Sequence, residues 1–223
     1  LVALGWQVIG QGRDKGRSEA AGTEIAQAAK SGGSFTMLRA NLSLMAETKR
    51  LADDIKAQAP QIDLLFNNAG GVRDARYLTS EGTEETFAAN HLAPFLLTRE
   101  LLPLLKVAAA TAKPGDVRVI ATSSKAYMTA SGGMHWDDIQ HLSGDFPATL
   151  VYCEAKLANT LFTHELAKRL APDGIACHAL IPGPVYTNFA SHGDANMQSY
   201  MKVAEGLTPA QVAETVVWMA TDA

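Results

Sequence analysis

The sequence predicts an α/β fold built on a doubly wound parallel sheet. Apolar stretches of strand length alternate along the whole chain with stretches of helix length, which is the pattern of repeated strand-helix units. One of these stretches, residues 62–66, is nearly continuously apolar, as expected of a strand buried on both faces of a parallel sheet. With 223 residues, 47% of them hydrophobic, the chain is long enough for one domain with a sizeable core.

The order of the predicted elements follows this alternation. Short strands are predicted at residues 7–10, 34–40, 62–66, 116–122 and 175–181. Helices are predicted at about residues 15–30, 43–58, 80–110 and 150–170, and from Thr208 onward. The chain therefore predicts a sheet in which successive strands are joined by helices.

Local signals mark several helix ends. Gly5 is predicted to end a last helical turn at the start of the chain. Ser43 is predicted to be the N-cap of its helix, and Pro60 follows the end of that helix. Thr208 followed by Pro209 is typical of an N-cap with proline at the first helical position.

The predicted helix at residues 150–170 carries the most informative pair in the chain. Tyr152 and Lys156 lie four positions apart, so their side chains share one helix face. A phenol has a pKa near ~10 and is a poor acid or base at neutral pH, unless a nearby positive charge stabilises the phenolate. Lys156 can supply that charge. Apolar residues at spacings of three and four predict one buried face of this helix. They are Leu157, Leu161, Phe162, Leu166 and Leu170.

The pair alone is weak evidence, because a tyrosine and a lysine at this spacing arise by chance with an expectation of about 0.2 in a chain of this composition. Four further motifs accompany it in a fixed order. They are Asn67-Asn68-Ala69-Gly70, Asn90 before Pro94, Ser123-Ser124, and Pro182-Gly183-Pro184-Val185-Tyr186-Thr187. Together they resemble the short-chain dehydrogenase/reductase family over nearly the whole chain. Leu157-Ala158-Asn159 and the long interval from Ser124 to Tyr152 are similar to its retinol-dehydrogenase-like branch.

The resemblance implies a Rossmann-like fold and a reaction in which hydride passes between a nicotinamide cofactor and a carbonyl or alcohol. It makes Tyr152 the general acid or base and Ser124 the hydrogen-bonding partner of the substrate oxygen. Lys156 lowers the pKa of the phenol and holds the ribose. The main-chain carbonyl of Asn90 holds a water in the family, and here Pro94, which has no N–H, leaves that carbonyl without its helical donor.

The predicted cofactor is NADP, with NAD as the alternative. Arg13 follows the strand whose end faces the adenine ribose in dinucleotide-binding folds, and an arginine there suits a 2′-phosphate. Asp14 keeps NAD open. The resemblance assigns further cofactor-binding residues. They are Asn41, Leu42, Asn68, Ala69, Gly70, Tyr152, Lys156, Pro182, Gly183, Val185 and Thr187.

Residues 1–223 are predicted to be one such domain, incomplete at both ends. The chain opens on Leu1, and the family's first strand and glycine-rich phosphate-binding turn do not occur in it. We therefore expect the isolated chain to bind a dinucleotide weakly. The alternative function is a non-catalytic nucleotide-binding regulator or an inert remnant of the family.

Composition excludes several other classes. The net charge of −4 and the scattered Lys and Arg argue against a nucleic-acid-binding protein, and no apolar run of transmembrane length occurs. Cys153 and Cys177 fit reduced thiols of a cytoplasmic protein. The histidines are isolated, and His135 and His141 are predicted to be solvent-facing loop residues, so no metal site is expected.

Two loops are predicted to determine specificity. Residues 125–151 carry apolar and aromatic side chains, which predicts a wall for an apolar small-molecule carbonyl or alcohol. Residues 188–206 are predicted to be loop and broken helix that form a lid. By resemblance, the chain is expected to form a homodimer or homotetramer through its two long helices.

Overall fold

The structure is a computed structural model that describes residues 1–222. Its strands are β1 (Gln7–Gly12), β2 (Ser34–Arg39), β3 (Leu64–Asn67), β4 (Arg118–Thr122) and β5 (Ala176–Leu180). Strands β1 and β2 form a two-stranded sheet, and β3, β4 and β5 form a three-stranded sheet with β4 in the middle. Every pairing between these strands is parallel, which confirms the predicted fold class.

Helices connect the strands as predicted. They are α1 (Lys15–Gln27), α2 (Met45–Lys56), α3 (Glu85–Phe87), α4 (Ala93–Ala109), α5 (Ala148–Leu170), α6 (Ala195–Val203) and α7 (Pro209–Thr221). Short 3₁₀ turns occupy Val2–Leu4, Lys125–Thr129, Trp136–Asp138, Ala171–Asp173 and Phe189–His192. Among the helices of residues 1–222, none combines the length and apolar character that crossing a membrane requires.

The two predicted N-caps have different outcomes. Thr208 caps α7 in a reciprocal capping box with Gln211, as predicted. The prediction for Ser43 is wrong, because its hydroxyl donates to Asn41 Oδ1 at 2.7 Å and makes no cap bond. The Glu81 carboxylate accepts from the backbone N–H of Met45, the first residue of α2, at 2.6 Å instead. A carboxylate is well placed at the positive end of a helix dipole.

The helix predicted at residues 80–110 begins later and is interrupted. The buried Glu84 is its N-cap, and its carboxylate accepts from the N–H groups of Thr86 and Phe87 at 2.8 and 2.7 Å. Residues 88–92 then form a π-helical turn before α4 begins. The interruption lies at the predicted position, just before Pro94.

The main core lies between α4 and the three-stranded sheet. Its buried side chains are Leu101, Leu105, Val117, Val119, Leu65 and Ile175, with Ala52 from α2. The predicted apolar face of α5 is confirmed only in part, because Leu170 is buried and Leu157, Phe162 and Leu166 are half-buried, whereas Leu161 is 47% exposed. The residues that the helix buries most fully are small or polar, among them Ala155 and Asn159.

We predict that Leu105→Ala lowers the free energy of unfolding by about 2–5 kcal/mol, because it leaves a cavity in a fully buried position. Val107→Ala on the same helix is the matched control. Since Val107 is 52% exposed, its truncation should change stability by only about 0.5 kcal/mol. Urea unfolding of both variants measures the difference, and equal losses would contradict this assignment of the core.

Candidate active site

A cleft of about 310 Å³ opens where β1, β2 and β3 end. Residues at the end of β1 or just after one of the three strands line it, namely Gln11, Arg13, Asn41, Leu42, Ala69, Gly70, Gly71 and Val72. Asn90, Phe189 and His192 come from outside these strand ends. Carboxyl ends of parallel strands are where ligands bind in open α/β sheets. The structure therefore brings six of the predicted residues, Arg13, Asn41, Leu42, Ala69, Gly70 and Asn90, to one cleft.

The Asn90 side chain holds the floor of the cleft. Its amide nitrogen donates to the carbonyls of Gly71 and Thr86, both at 2.7 Å, and its amide oxygen accepts from the Gly71 N–H at 3.2 Å. Asn90 is buried, so these bonds satisfy a group that would otherwise be costly to bury. A Cβ atom at Gly70 would lie 2.5 Å from Asn90 Oδ1 and 3.5 Å from Lys156 Nζ. Glycine is therefore required at position 70 for this close approach.

The main-chain carbonyl of Asn90 has a hydrogen-bond donor, although the sequence predicted that this oxygen would be free. It accepts a hydrogen bond of 2.7 Å from Asn159 Nδ2 on α5. Asn159 Oδ1 in turn lies 3.0 Å from Nδ1 of His91. In the sequence Asn159 stands out only as part of the motif of the family branch, and nothing local indicates this contact. A carbonyl oxygen has a second lone pair, so the contact with Asn159 leaves one acceptor position.

Tyr152 and Lys156 lie side by side on the buried face of α5, as their spacing predicted. Lys156 Nζ is 5.6 Å from the centre of the Tyr152 ring and donates to the carbonyl of Thr122 at 3.0 Å. Thr122 ends β4, and the next residues are Ser123 and Ser124. The Ser124 hydroxyl accepts from the N–H of Ala126 at 3.2 Å and caps a 3₁₀ turn.

The predicted lowering of the phenol pKa by Lys156 is not observed. Burial raises the pKa of Tyr152 to about 12, and the neighbouring Ser124 side chain opposes that rise. Burial also lowers the pKa of Lys156 to about 8. Both shifts have one cause, since a low-dielectric surrounding disfavours the charged form of either group.

The segment predicted to be a lid covers Tyr152. The Phe189 ring lies 5.3 Å from the Tyr152 ring, centre to centre. Met197, from α6, packs with Tyr152 and Val72 in one buried cluster. An apolar cover therefore separates the phenol from solvent, and Tyr152 is only 6% exposed.

Arg13 and Asp14 stand in different situations at the rim of the cleft. Arg13 is exposed and, within residues 1–222, forms no ion pair and no side-chain hydrogen bond. Asp14 is the N-cap of α1 and accepts from the N–H of Arg17 at 2.8 Å, which lowers the pKa of its carboxyl. Asn41 also lines the cleft, although its amide oxygen already accepts from both the N–H and the hydroxyl of Ser43.

Several predicted cofactor-binding residues lie outside the lining of this cleft. They are Asn68, Tyr152, Lys156, Pro182, Gly183, Val185 and Thr187. Asn68 accepts from the Thr122 hydroxyl at 3.0 Å, which joins the ends of β3 and β4. Val185 pairs with Leu207, and Thr187 accepts from the N–H of Phe189 at 3.3 Å. The turn at 182–187 thus lies at the base of the cover over Tyr152.

An ion pair and a histidine cluster near the site were not predicted from the sequence. Arg73 and Glu85 both line the cleft, and Arg73 Nε donates to Glu85 Oε2 at 2.7 Å. The prediction that His135 and His141 face solvent is wrong for His141, which is 7% exposed. Both histidines contact Glu154 on α5. No local pattern could reveal either group, because their partners lie 12 to 19 residues apart in the sequence.

Comparison with known proteins agrees with this geometry. The family model described as "Enoyl-(Acyl carrier protein) reductase" matches residues 1–223. Human retinol dehydrogenase 14 is 35% identical over 204 residues, which is 86% of this chain and 58% of that protein. The chain belongs to the short-chain dehydrogenase/reductase family. Within this family it falls in the retinol-dehydrogenase-like branch, as the sequence motifs predicted.

Solved structures share the short-chain dehydrogenase/reductase fold with this chain. The Pseudomonas aeruginosa RhlG/NADP active-site complex superposes with a TM-score of 0.73 at 23% identity, covering 99% of this chain and 82% of that one. The 3-ketoacyl-(acyl-carrier-protein) reductase of Brucella melitensis complexed with NADH superposes with a TM-score of 0.72 at 20% identity. The match covers 97% of this chain and 81% of that one. The chain spans 58% of the length of retinol dehydrogenase 14.

We predict that Gly70→Ala lowers the free energy of unfolding by about 1–3 kcal/mol, because the new methyl group must displace the Asn90 amide from its bonds to Gly71. Gly71→Ala is the matched control. The nearest atom to a Cβ atom at position 71 is Arg73 Nη1 at 3.8 Å, so there is space for the methyl group. Thermal unfolding compares the two variants. If Gly71→Ala proves as destabilising as Gly70→Ala, the close approach at position 70 is not the cause.

Proposed function

We propose that the protein is an NAD(P)-dependent oxidoreductase that interconverts a carbonyl and an alcohol, with Tyr152 as the general acid or base. The observation that carries the proposal is the pairing of two buried ionisable groups, Tyr152 and Lys156, beside the strand end that presents Ser124. Strongly perturbed pKa values cluster at functional sites, and both groups have them. Family membership supports the same reaction.

The residues of the cleft suit a nicotinamide dinucleotide. Ala69 and Gly70 form a wall without long side chains, Asn41 offers an amide, and Arg13 offers a positive charge at the rim. Lys156 lies directly behind Gly70 and would hold the ribose. When bound, the cofactor supplies or accepts the hydride. The chain's own residues bind it, orient the substrate oxygen and move the proton.

The raised pKa of Tyr152 favours one role for the phenol. With a pKa of about 12, the phenol remains protonated at neutral pH and can donate its proton to the oxygen of a carbonyl that is being reduced. Ser124 would orient that oxygen. Lys156 carries its charge below a pKa of about 8, so near neutral pH its ammonium group can stabilise the phenolate that remains after the transfer.

The cover over Tyr152 supports an apolar substrate. Phe189 and Met197 pack directly against the phenol and its neighbour Val72, so a substrate must displace them or pack against them. An apolar substrate group would replace these contacts without leaving polar atoms unpaired. Opening of residues 189–203 would then precede binding of the substrate, as in enzymes with lids.

Arg13 favours NADP over NAD. It is exposed at the cleft rim, whereas the carboxylate of Asp14, which would favour the ribose 2′-hydroxyl of NAD, is engaged by the first turn of α1. A guanidinium group can form charge-assisted hydrogen bonds with a 2′-phosphate.

We predict that Tyr152→Phe lowers turnover by about 10²–10⁴-fold and leaves stability nearly unchanged, because only the ionisable oxygen is removed.

Carbonyl reduction by the parent enzyme should be constant below pH 8 and fall above it, as Lys156 loses its proton. Lys156→Met should abolish this alkaline fall. Both effects are measured as steady-state turnover across pH. The protein assayed is the longest polypeptide encoded in frame with this chain.

Tyr77→Phe is the control for that experiment, because Tyr77 is 46% exposed and lies outside both the cleft lining and the cover over Tyr152. It should retain the parent turnover. If Tyr152→Phe also retains near-full turnover, Tyr152 is not the proton donor, and a non-catalytic nucleotide-binding role becomes the better proposal.

For the cofactor, we predict that Arg13→Ala weakens NADPH binding by roughly ten- to a hundredfold and leaves NADH binding nearly unchanged, since only the 2′-phosphate contact is lost. Fluorescence titration with each nucleotide measures the two affinities. Arg99→Ala, an exposed arginine on α4, is the control and should change neither. Equal losses for NADPH and NADH would refute selection by Arg13.

A further inference from the structure

A cluster of three ionisable side chains lies beside the proposed catalytic helix. Glu154, on α5 between Tyr152 and Lys156, is 1% exposed. Its Oε1 atom lies 2.5 Å from His135 Nδ1, and its Oε2 atom lies 3.1 Å from His141 Nε2. The two imidazole rings are 4.8 Å apart, centre to centre. One buried carboxylate therefore receives a ring nitrogen on each of its two oxygens.

The proposed oxidoreductase mechanism has no use for this cluster. A buried carboxylate is costly unless it is paired, and here it is paired only with groups whose charge depends on a proton. The backbone N–H of His135 also donates to Glu154, at 3.3 Å. The Glu154 carboxylate is thus a buried anion without a permanently charged partner, and a cation bound between it and the two imidazoles would balance its charge.

We propose that His135, His141 and Glu154 bind a zinc ion. The ligand atoms of the three residues all lie within 4.8 Å of one another. Two imidazole nitrogens and one carboxylate oxygen form a donor set that zinc uses, with a water in the fourth position. Nitrogen donors disfavour Mg²⁺ and Ca²⁺, which prefer oxygen ligands.

Zinc binding requires only a small rearrangement of the ligand atoms. Zinc lies about 2.0–2.2 Å from nitrogen and oxygen ligands. The ligand atoms must therefore separate from their present hydrogen bonds and face a common centre. The side chain of His135 is 58% exposed on a loop, so it can adjust and gives the ion a route from solvent. Each ring binds through the nitrogen that now faces Glu154, and its proton then resides on the other nitrogen.

A bound zinc would fasten the loop at residues 130–147 to α5. His141 adopts a left-handed backbone conformation with φ 49°, and its carbonyl accepts from Arg76 Nε at 2.7 Å. Arg76 also donates to the carbonyls of Ser143 and Gly144. The loop is thus already held on one side of the cluster, which positions the His141 ring for the ion. This proposal does not depend on the proposed oxidoreductase activity.

Zinc binding to the metal-free protein tests the proposal, in competition with a chromogenic chelator at neutral pH. We expect one equivalent per chain with micromolar or tighter affinity. His135→Ala and His141→Ala should each weaken binding by at least about tenfold, because even loss of a group that only supports a ligand costs 10–100-fold. Mg²⁺ at millimolar concentration should not compete. Failure of the parent protein to bind zinc at about micromolar levels would overturn the proposal.

Two further variants keep the result interpretable. His164→Ala removes an exposed histidine from the same helix and should bind zinc as the parent does. Glu154→Gln keeps the shape of the side chain but removes its charge, so it should fold, as judged by circular dichroism, and lose zinc affinity. If His164→Ala weakens binding as much as His141→Ala, the zinc is held at the surface and the proposal fails. A tetrahedral absorption spectrum with Co²⁺ in place of zinc would support it.

Discussion

The polar face that α5 buries is the constraint on which the other parts of the site depend. Lys156 and Asn159 are both less than 5% exposed, and each needs a hydrogen-bond partner to be buried at acceptable cost. Thr122, at the end of β4, accepts from Lys156, and the carbonyl of Asn90 accepts from Asn159. The position of the helix therefore depends on the strand end and on the π-helical turn, which supply these acceptors.

Asn90 extends this dependence to the cleft. Its main chain contacts α5, while its side chain holds the backbone of Gly71 and Thr86. One residue thus connects the helix of Tyr152 to the loop that follows β3. Because interiors are closely packed, a change at Gly70 is expected to affect both Asn90 and Lys156, which lie next to the position that a Cβ atom would take there.

Prediction from sequence succeeded where the signal is local. The N-cap of α7, the interruption before Pro94 and the helical placement of Tyr152 and Lys156 each rest on residues within one or two turns of one another. It failed where a residue far away in the sequence provides the contact. The N-terminus of α2 is capped by Glu81, 36 positions away from Met45, so the nearby Ser43 was the wrong choice.

Local patterns were sufficient for the fold class, the family and the identity of the residue pair, because hydrophobic periodicity and motif order are properties of neighbouring residues. Only the tertiary structure decided which face of α5 is buried. The leucines at spacings of three and four predicted an apolar face, but the end of β4, the π-helical turn and the loop at 130–147 offer partners for Lys156, Asn159 and Glu154, respectively. The energy of a buried polar group depends on those partners, and they are brought together only when the chain folds.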